Sequence, residues 1–267
     1  MSAGTPDSPA TRVLGAEAVA GRRLEEQTDG MELRLREWEG SDLVAGITRA
    51  RAGDYSVSTN GTDALLEAYG ALARRLGFDA VAVPRQVHGT EVLRVDGAAL
   101  AAPGGESAPA VLLAGRVDGL VTTRPGLLLV STAADCIPVY LRDRAGRGVG
   151  LAHAGWRGVA GGILDRAVAA MTWAGARRED LEIHLGPGIC GACYEVDAPV
   201  LDALGLGGER ARVDLRGILA SRALAAGVRA VTVSAHCTRC GAAGLHSHRG
   251  SGGQAGRMAA FIGARRT

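Results

Sequence analysis

Residues 127–158, LLLVSTAADCIPVYLRDRAGRGVGLAHAGWRG, decide how this chain folds. Three apolar runs, Leu127 to Thr132, Pro138 to Arg142 and Val149 to His153, have strand length and are separated by turn formers rather than continued at helical spacing. The turn around Asp143 to Gly148 folds the second run back on the third. Cys136 and His153, 17 positions apart, then come into register near one end of a hairpin. Gly155 and Gly158 lead out of the third run into a helix around Ile163. A side chain at such a strand end is aimed by rigid backbone into a crevice that the adjoining loop leaves open.

Outward from this segment, short strands alternate with amphipathic helices, the pattern of an α/β or α+β domain. Further strands are predicted at Leu43 to Thr48, Ala80 to Val83, Glu91 to Val95, Leu181 to Leu185 and Ala230 to Ala235. Leu65, Tyr69, Leu72 and Leu76 fall at helical spacing before a stop at Gly77, and Ile163, Ala167 and Met171 do the same. Asp214 is placed as the N-cap of a helix that carries Leu215, Ile218 and Leu219 and ends near Gly227. A last helix is expected from about Gln254 to Ile262.

Residues 1–30 are rich in Ala, Gly, Ser, Pro and charge, and are expected to be a mobile tail. Met31 begins the first strand-like run and is a candidate for the true translation start. Residues 31–267 then form one domain. Ala98 to Ala110 is the internal linker candidate, but a boundary there would part His88 from the residues it can work with.

The 267 residues are 47% hydrophobic, enough for a core of ordinary size and incompatible with a disordered or fibrous chain. Every one of the 30 basic residues is arginine, so Schiff-base lysine chemistry and the lysine of a phosphate-binding loop are excluded. The 28 acidic residues leave a net charge of +2 without a basic arm, which points away from nucleic acid and membrane surfaces. Five cysteines are too few and too odd a number for a disulfide scaffold, and neither a signal peptide nor a membrane span is readable. A cytoplasmic, reduced monomer is expected.

Three segments place a metal-capable residue beside turn glycines or at a strand end: Gln86-Val87-His88-Gly89, Ala134-Asp135-Cys136-Ile137-Pro138 and Ala152-His153-Ala154-Gly155-Trp156-Arg157-Gly158. Two imidazoles and a thiolate suit zinc, and three protein ligands leave the fourth tetrahedral position open, as in catalytic sites. Asp135 is a candidate to orient a ligand or shuttle a proton, and Arg157 to hold an anion. Taken singly, each ligand residue also suits a hydrogen-bonded histidine or a packed thiol.

The strings RQVHGTEV, VDGLVTTRPGLLLVSTAADCIPVYL, GLAHAGWRGVAGGIL, LGPGICGACYEV, CTRC and HSHRGSGGQAGRMAAFI resemble, in that order, the motif set of the laccase-domain proteins. That family is also called peptidoglycan editing factor, and its members are multifunctional purine nucleoside phosphorylases. The resemblance runs from about Gly46 to Gly263 and is carried most specifically by HAGWRG and ADC at their mutual spacing. It implies an α/β sandwich of mixed sheets, and zinc held by His88, Cys136 and His153. It also implies phosphorolysis of adenosine, inosine and methylthioadenosine, with adenosine deamination at the same centre. Arg49, Arg157 and Arg249 lie in the matching segments and are the candidate phosphate holders. Ala133 and Gly250 depart from the family, which often has threonine and a second arginine there.

Three other chemistries compete. Copper oxidation of phenols needs many histidines, commonly in HxH pairs, whereas this chain has six histidines and one HxH, His246-Ser247-His248. Zinc is therefore preferred over copper. Cys136 as thiolate with His153 as base would instead give a hydrolase that edits a peptidoglycan precursor amide. Cys190-Gly-Ala-Cys193 and Cys237-Thr-Arg-Cys240 have the spacing of zinc or redox pairs, but stand farther apart than in a compact ribbon, so they are read as separate packed thiols.

Overall fold

The structure is a computed structural model that describes residues 13–14, 26–38, 42–56, 60–96 and 109–266. Most of the expected tail, and of the Ala98 to Ala110 loop, lies outside those residues.

The chain forms an α/β sandwich built on two large mixed sheets. The seven-stranded sheet runs in the order Glu26–Asp29 (β2), Glu32–Leu35 (β3), Leu43–Thr48 (β4), Met258–Ala264 (β16), Leu127–Ala133 (β9), Ala80–Val83 (β5) and Ala110–Leu113 (β7). The six-stranded sheet runs Ala230–Val233 (β15), Leu181–Leu185 (β12), Ile137–Asp143 (β10), Val149–Ala154 (β11), Gly119–Thr122 (β8) and Val92–Arg94 (β6). A small third sheet joins Val13–Leu14 (β1), Arg210–Val213 (β14) and Glu195–Asp197 (β13).

The residue pattern of β9 shows why the layers form. Leu127 and Leu129 face the core between the two large sheets, with Ile47, Leu120, Leu151 and Ile262. Leu128 and Val130 face the other way and pack with Leu65, Tyr69, Leu72 and Leu76 of the helix Thr62–Leu76 (α1). Two covered faces require an unbroken apolar run rather than an alternating one. The outer face of the six-stranded sheet is closed in the same way. There Val139, Leu141 and Ile183 meet the helices Ile163–Trp173 (α3) and Leu215–Ala225 (α5), while the short helix Trp156–Gly161 (α2) precedes α3 and Ala198–Ala203 (α4) follows β13. Tyr140 ties the two sheets together, its hydroxyl donating to the Gly46 carbonyl at 2.8 Å from a fully buried ring.

The predicted hairpin is present: β10 pairs antiparallel with β11, Pro138 opposite His153 and Ile137 opposite Ala154. Its turn is held by the Asp143 carboxylate, which accepts from the Arg147 amide at 3.0 Å and from Arg147 Nε at 2.7 Å. The Asp214 cap also stands, its side chain accepting from the Arg216 amide.

Two expectations are corrected. Gln254 to Ile262 does not form a helix: β16 begins at Met258 and fills the centre of the seven-stranded sheet, paired antiparallel with both β4 and β9. Met258-Ala-Ala-Phe-Ile262 is apolar on every face, so its periodicity cannot separate a buried strand from a buried helix, and two waiting strand edges decide the matter. The tail to residue 30 is also too long. Glu26–Asp29 pair with β3, and the nearly buried Glu26 carboxylate lies 3.3 Å from Nε2 of the fully buried His184.

Candidate metal centre and active-site cleft

Each member of the predicted trio is delivered by a different local device. Cys136 sits in the turn between β9 and β10, His153 is the penultimate residue of β11, and His88 lies in the loop between β5 and β6. Their ligand atoms all lie within 4.8 Å of one another. The His88 and His153 rings meet edge to face, with centroids 4.8 Å apart. Among the described residues, His88 (φ 58°) and Asp135 (φ 86°) are the non-glycine residues with left-handed backbone. Strained backbone of this kind gathers where the surroundings over-determine a site.

Gly155 lets the three groups converge. A Cβ at this position would stand 3.0 Å from both Cys136 Sγ and His88 Cδ2. Gly155→Ala is expected to push the two ligands apart and to lower metal retention at least about tenfold with the fold intact, since a second-sphere change typically costs 10–100-fold. Metal content after dialysis, read beside circular dichroism, checks this; unchanged metal would show that the ligands do not need the space.

The organising group is Asp118, which is 1% exposed and was not singled out in the sequence. Its carboxylate accepts from His153 Nδ1 at 3.0 Å and from the amides of Val87, His88 and Gly89 at 3.2, 3.0 and 2.7 Å. One side chain thus fixes the tautomer of one histidine, leaving Nε2 as its ligand atom, and the loop that carries the other. Burial works against its ionised form, yet the hydrogen bonds from His153, Gly89 and Val87 outweigh it and hold Asp118 below the usual carboxylate range.

Burial likewise pushes the Cys136 thiol up, but the charge of and hydrogen bond from His153, with a further hydrogen bond from His88, lower it to about 6. Burial opposes the His153 cation, but the Cys136 thiolate and the Asp118 carboxylate raise it to about 9. Each of the two groups thus favours the other's charged form, a role that a metal dication facing the thiolate would take over. Donor types, convergence and the carboxylate behind His153 all fit a metal ion.

The trio lies in the wall of a cleft of about 1190 Å³. Its lining includes the apolar Leu65, Leu66, Tyr69, Val83 and Leu113 and the cations Arg85, Arg116 and Arg257, with His248 beside them. Gln86 also borders it, but its amide is spent on Thr132, accepting from that residue's amide and hydroxyl and donating to its carbonyl.

The other candidates are placed differently. Asp135 does not offer its carboxylate to the trio: it accepts from Thr238 Oγ1 at 2.5 Å, Ser247 Oγ at 2.8 Å and the Arg249 amide at 2.6 Å. It is a positioning residue that holds the C-terminal loops against the Cys136 turn. Arg49 stands outside the cleft lining, its guanidinium donating to the carbonyls of Ala243 and Gly30. Arg157 and Arg249 are not in that lining either. Arg157 stacks on Trp156, and Arg249 lies over Tyr194 while donating to the Glu195 carbonyl. Burial first, then the nearby Cys136 charge, pushes the Tyr194 phenol up to about 12, against the lowering effect of both arginines. The cleft arginines went unnoticed because thirty arginines dilute any one of them, although Arg85 lies three positions before His88. The two CxxC pairs are not separate either: Cys190, Cys193, Cys237 and Cys240 bring their sulfurs within 4.8 Å of one another.

A family model described as multi-copper polyphenol oxidoreductase laccase matches residues 55–265. The chain belongs to this family. Within the laccase family, a Deinococcus radiodurans protein named purine nucleoside phosphorylase is 41% identical over 205 residues, 72% of this chain and 74% of its own. A protein named adenosine deaminase RL5, from an unknown prokaryotic organism, is 35% identical over 216 residues, 74% of this chain and 81% of its own. The crystal structure of YlmD from Geobacillus stearothermophilus matches with a TM-score of 0.77 at 30% identity, covering 92% of this chain and 100% of that one. No helix among the described residues is long and apolar enough to cross a membrane.

Proposed function

We propose that the chain is a zinc-dependent purine nucleoside phosphorylase that also deaminates adenosine, acting at the His88, Cys136 and His153 centre. The observation that carries this reading is the convergence of two imidazoles and a thiolate in the wall of the large cleft. The names of two relatives, a phosphorylase and a deaminase, supply the two activities. Zinc held there would supply a Lewis acid with a coordination position open to water or substrate.

The chain's own residues account for the rest. The apolar lining residues, from Leu65 to Leu113, suit a purine ring and exclude water from it. Arg85, Arg116 and Arg257 replace the earlier trio of arginines as the phosphate-holding candidates, presenting cations at the same cleft. Asp118 holds the His153 ring in one orientation through Nδ1.

Incubation of the zinc-loaded protein with adenosine is expected to yield adenine only when phosphate is present, and inosine with or without it. Chromatography separates the two products. Absence of both from metal-replete protein would overturn the proposal.

A second reading has one observation in its favour: Asp118, His153 and Cys136 also form the base-and-nucleophile line of a cysteine hydrolase. Such an enzyme would act on an amide such as that of a peptidoglycan precursor. Amide cleavage that survives complete metal removal would favour it, whereas activity lost on chelation and restored by zinc would exclude it.

A further inference from the structure

The four remaining cysteines come from two distant segments, 190–193 and 237–240, that the fold brings together. Gly188 and Cys237 form a parallel bridge, and the Thr238 amide donates to the Gly188 carbonyl at 3.1 Å. Each CxxC then curls into a single turn. The Cys193 and Tyr194 amides donate to the Cys190 carbonyl at 2.9 and 3.0 Å, and the Gly241 amide donates to the Cys237 carbonyl at 3.0 Å. Gly241 is required by that tightness, because a Cβ there would lie 2.4 Å from the Cys237 carbonyl oxygen.

The sulfurs are spaced for a shared ion. A tetrahedral zinc with Zn–S bonds of about 2.3 Å sets its sulfurs roughly 3.8 Å apart. Cys190 Sγ and Cys240 Sγ are 3.9 Å apart, and all four sulfurs fall within 4.8 Å of one another. A disulfide would need about 2.05 Å, and all five cysteines of the chain are free. Cys237 Sγ also accepts the backbone amides of Cys190 at 3.3 Å and Cys240 at 3.5 Å. Amides directed at sulfur favour the ionised thiolate that metal binding requires.

We propose that Cys190, Cys193, Cys237 and Cys240 form a second, four-thiolate zinc site whose role is structural. Four protein ligands close the coordination shell and leave no position for substrate. The site ties together the two segments that brace the catalytic turn: the Ile189 amide donates to the Asp135 carbonyl, and Thr238 donates to the Asp135 carboxylate. Arg239, inside the second pair, donates to the Cys193 carbonyl and so links the two CxxC turns directly.

The test is zinc counting on purified, reduced protein, with variants that remove one site at a time. Wild type is expected to hold two zinc ions per chain, Cys136→Ala one, and Cys240→Ser one. Cobalt substituted into Cys136→Ala should show the intense thiolate-to-cobalt charge-transfer and tetrahedral d–d bands of four sulfur ligands. That measurement leaves all four cysteines in place and does not depend on how Cys240→Ser folds. Cys136→Ala that retains no zinc, or a cobalt spectrum without thiolate bands, would overturn the proposal. So would wild-type protein purified without reductant whose mass shows hydrogens lost to disulfides among these cysteines. None of these readouts uses nucleoside turnover, so failure here is distinguishable from failure of the proposed activity.

Discussion

Cys136→Ala is expected to strip metal from the His88 and His153 centre and to lower both phosphorolysis and deamination by about 10³-fold or more. A Lewis-acidic ion contributes several kcal/mol to transition-state stabilisation, and each 1.4 kcal/mol or so is tenfold in rate. Two histidines alone are a poor site once the anionic ligand is gone. The fold should survive, because Cys136 lies in a turn between strands and alanine removes only one sulfur atom from it. Metal analysis, product chromatography and thermal melting on one preparation check the three parts. Full turnover of adenosine by Cys136→Ala that has lost the metal of the His88 and His153 centre would remove this centre from the reaction.

Asp118→Ala is expected to have the next largest effect, on stability as well as activity. It would leave His153 Nδ1 and three backbone amides without their acceptor. An orphaned buried donor costs about 1–3 kcal/mol, so a loss of about 3 kcal/mol is expected even if water reaches the more exposed amides. Asp118→Asn keeps the shape but lacks the charge and one acceptor, and should lower zinc affinity or activity about 10–100-fold. The pH dependence has a defined sign. Asp118 is held below its unfolded value of about 3.9, so its contribution is fully present above about pH 4 and is lost as pH falls through the lowered folded value. The stability gap between wild type and Asp118→Asn should therefore narrow in acid, and should also shrink as pH rises from about 6.5 toward 9, where the His153 cation that Asp118 helps to hold is lost. Urea midpoints from about pH 3 to 9 test this, and a gap that widened in acid would contradict the assignment.

These residues also mark what could be read in advance. The hairpin of β10 and β11 and the convergence of His88, Cys136 and His153 were legible, because strand length, turn residues and donor chemistry all lie within short segments. Asp118 was not, since its role exists only where the amides of residues 87–89 arrive beside His153. Asp135 was legible from its adjacency to Cys136 as a group to orient a ligand or shuttle a proton, whereas the distant loops on which its carboxylate is spent, those of Thr238, Ser247 and Arg249, were not. The four-cysteine cluster was masked by the long separation of its halves, which only the pairing of Gly188 with Cys237 closes. Arginine positions carried little information because composition alone supplies so many.

The placement of β16 has a consequence for biosynthesis. It lies between β4 and β9, yet it leaves the ribosome long after both. Until residues 258–264 emerge, the nascent chain carries two open strand edges flanking an apolar slot, surfaces that invite wrong pairing. β9 leads directly into the Asp135–Cys136 turn, and Ser247 and Arg249, which hold that turn, are also late to be translated. The geometry of the His88, Cys136 and His153 cluster is thus among the last features of the fold to be assembled.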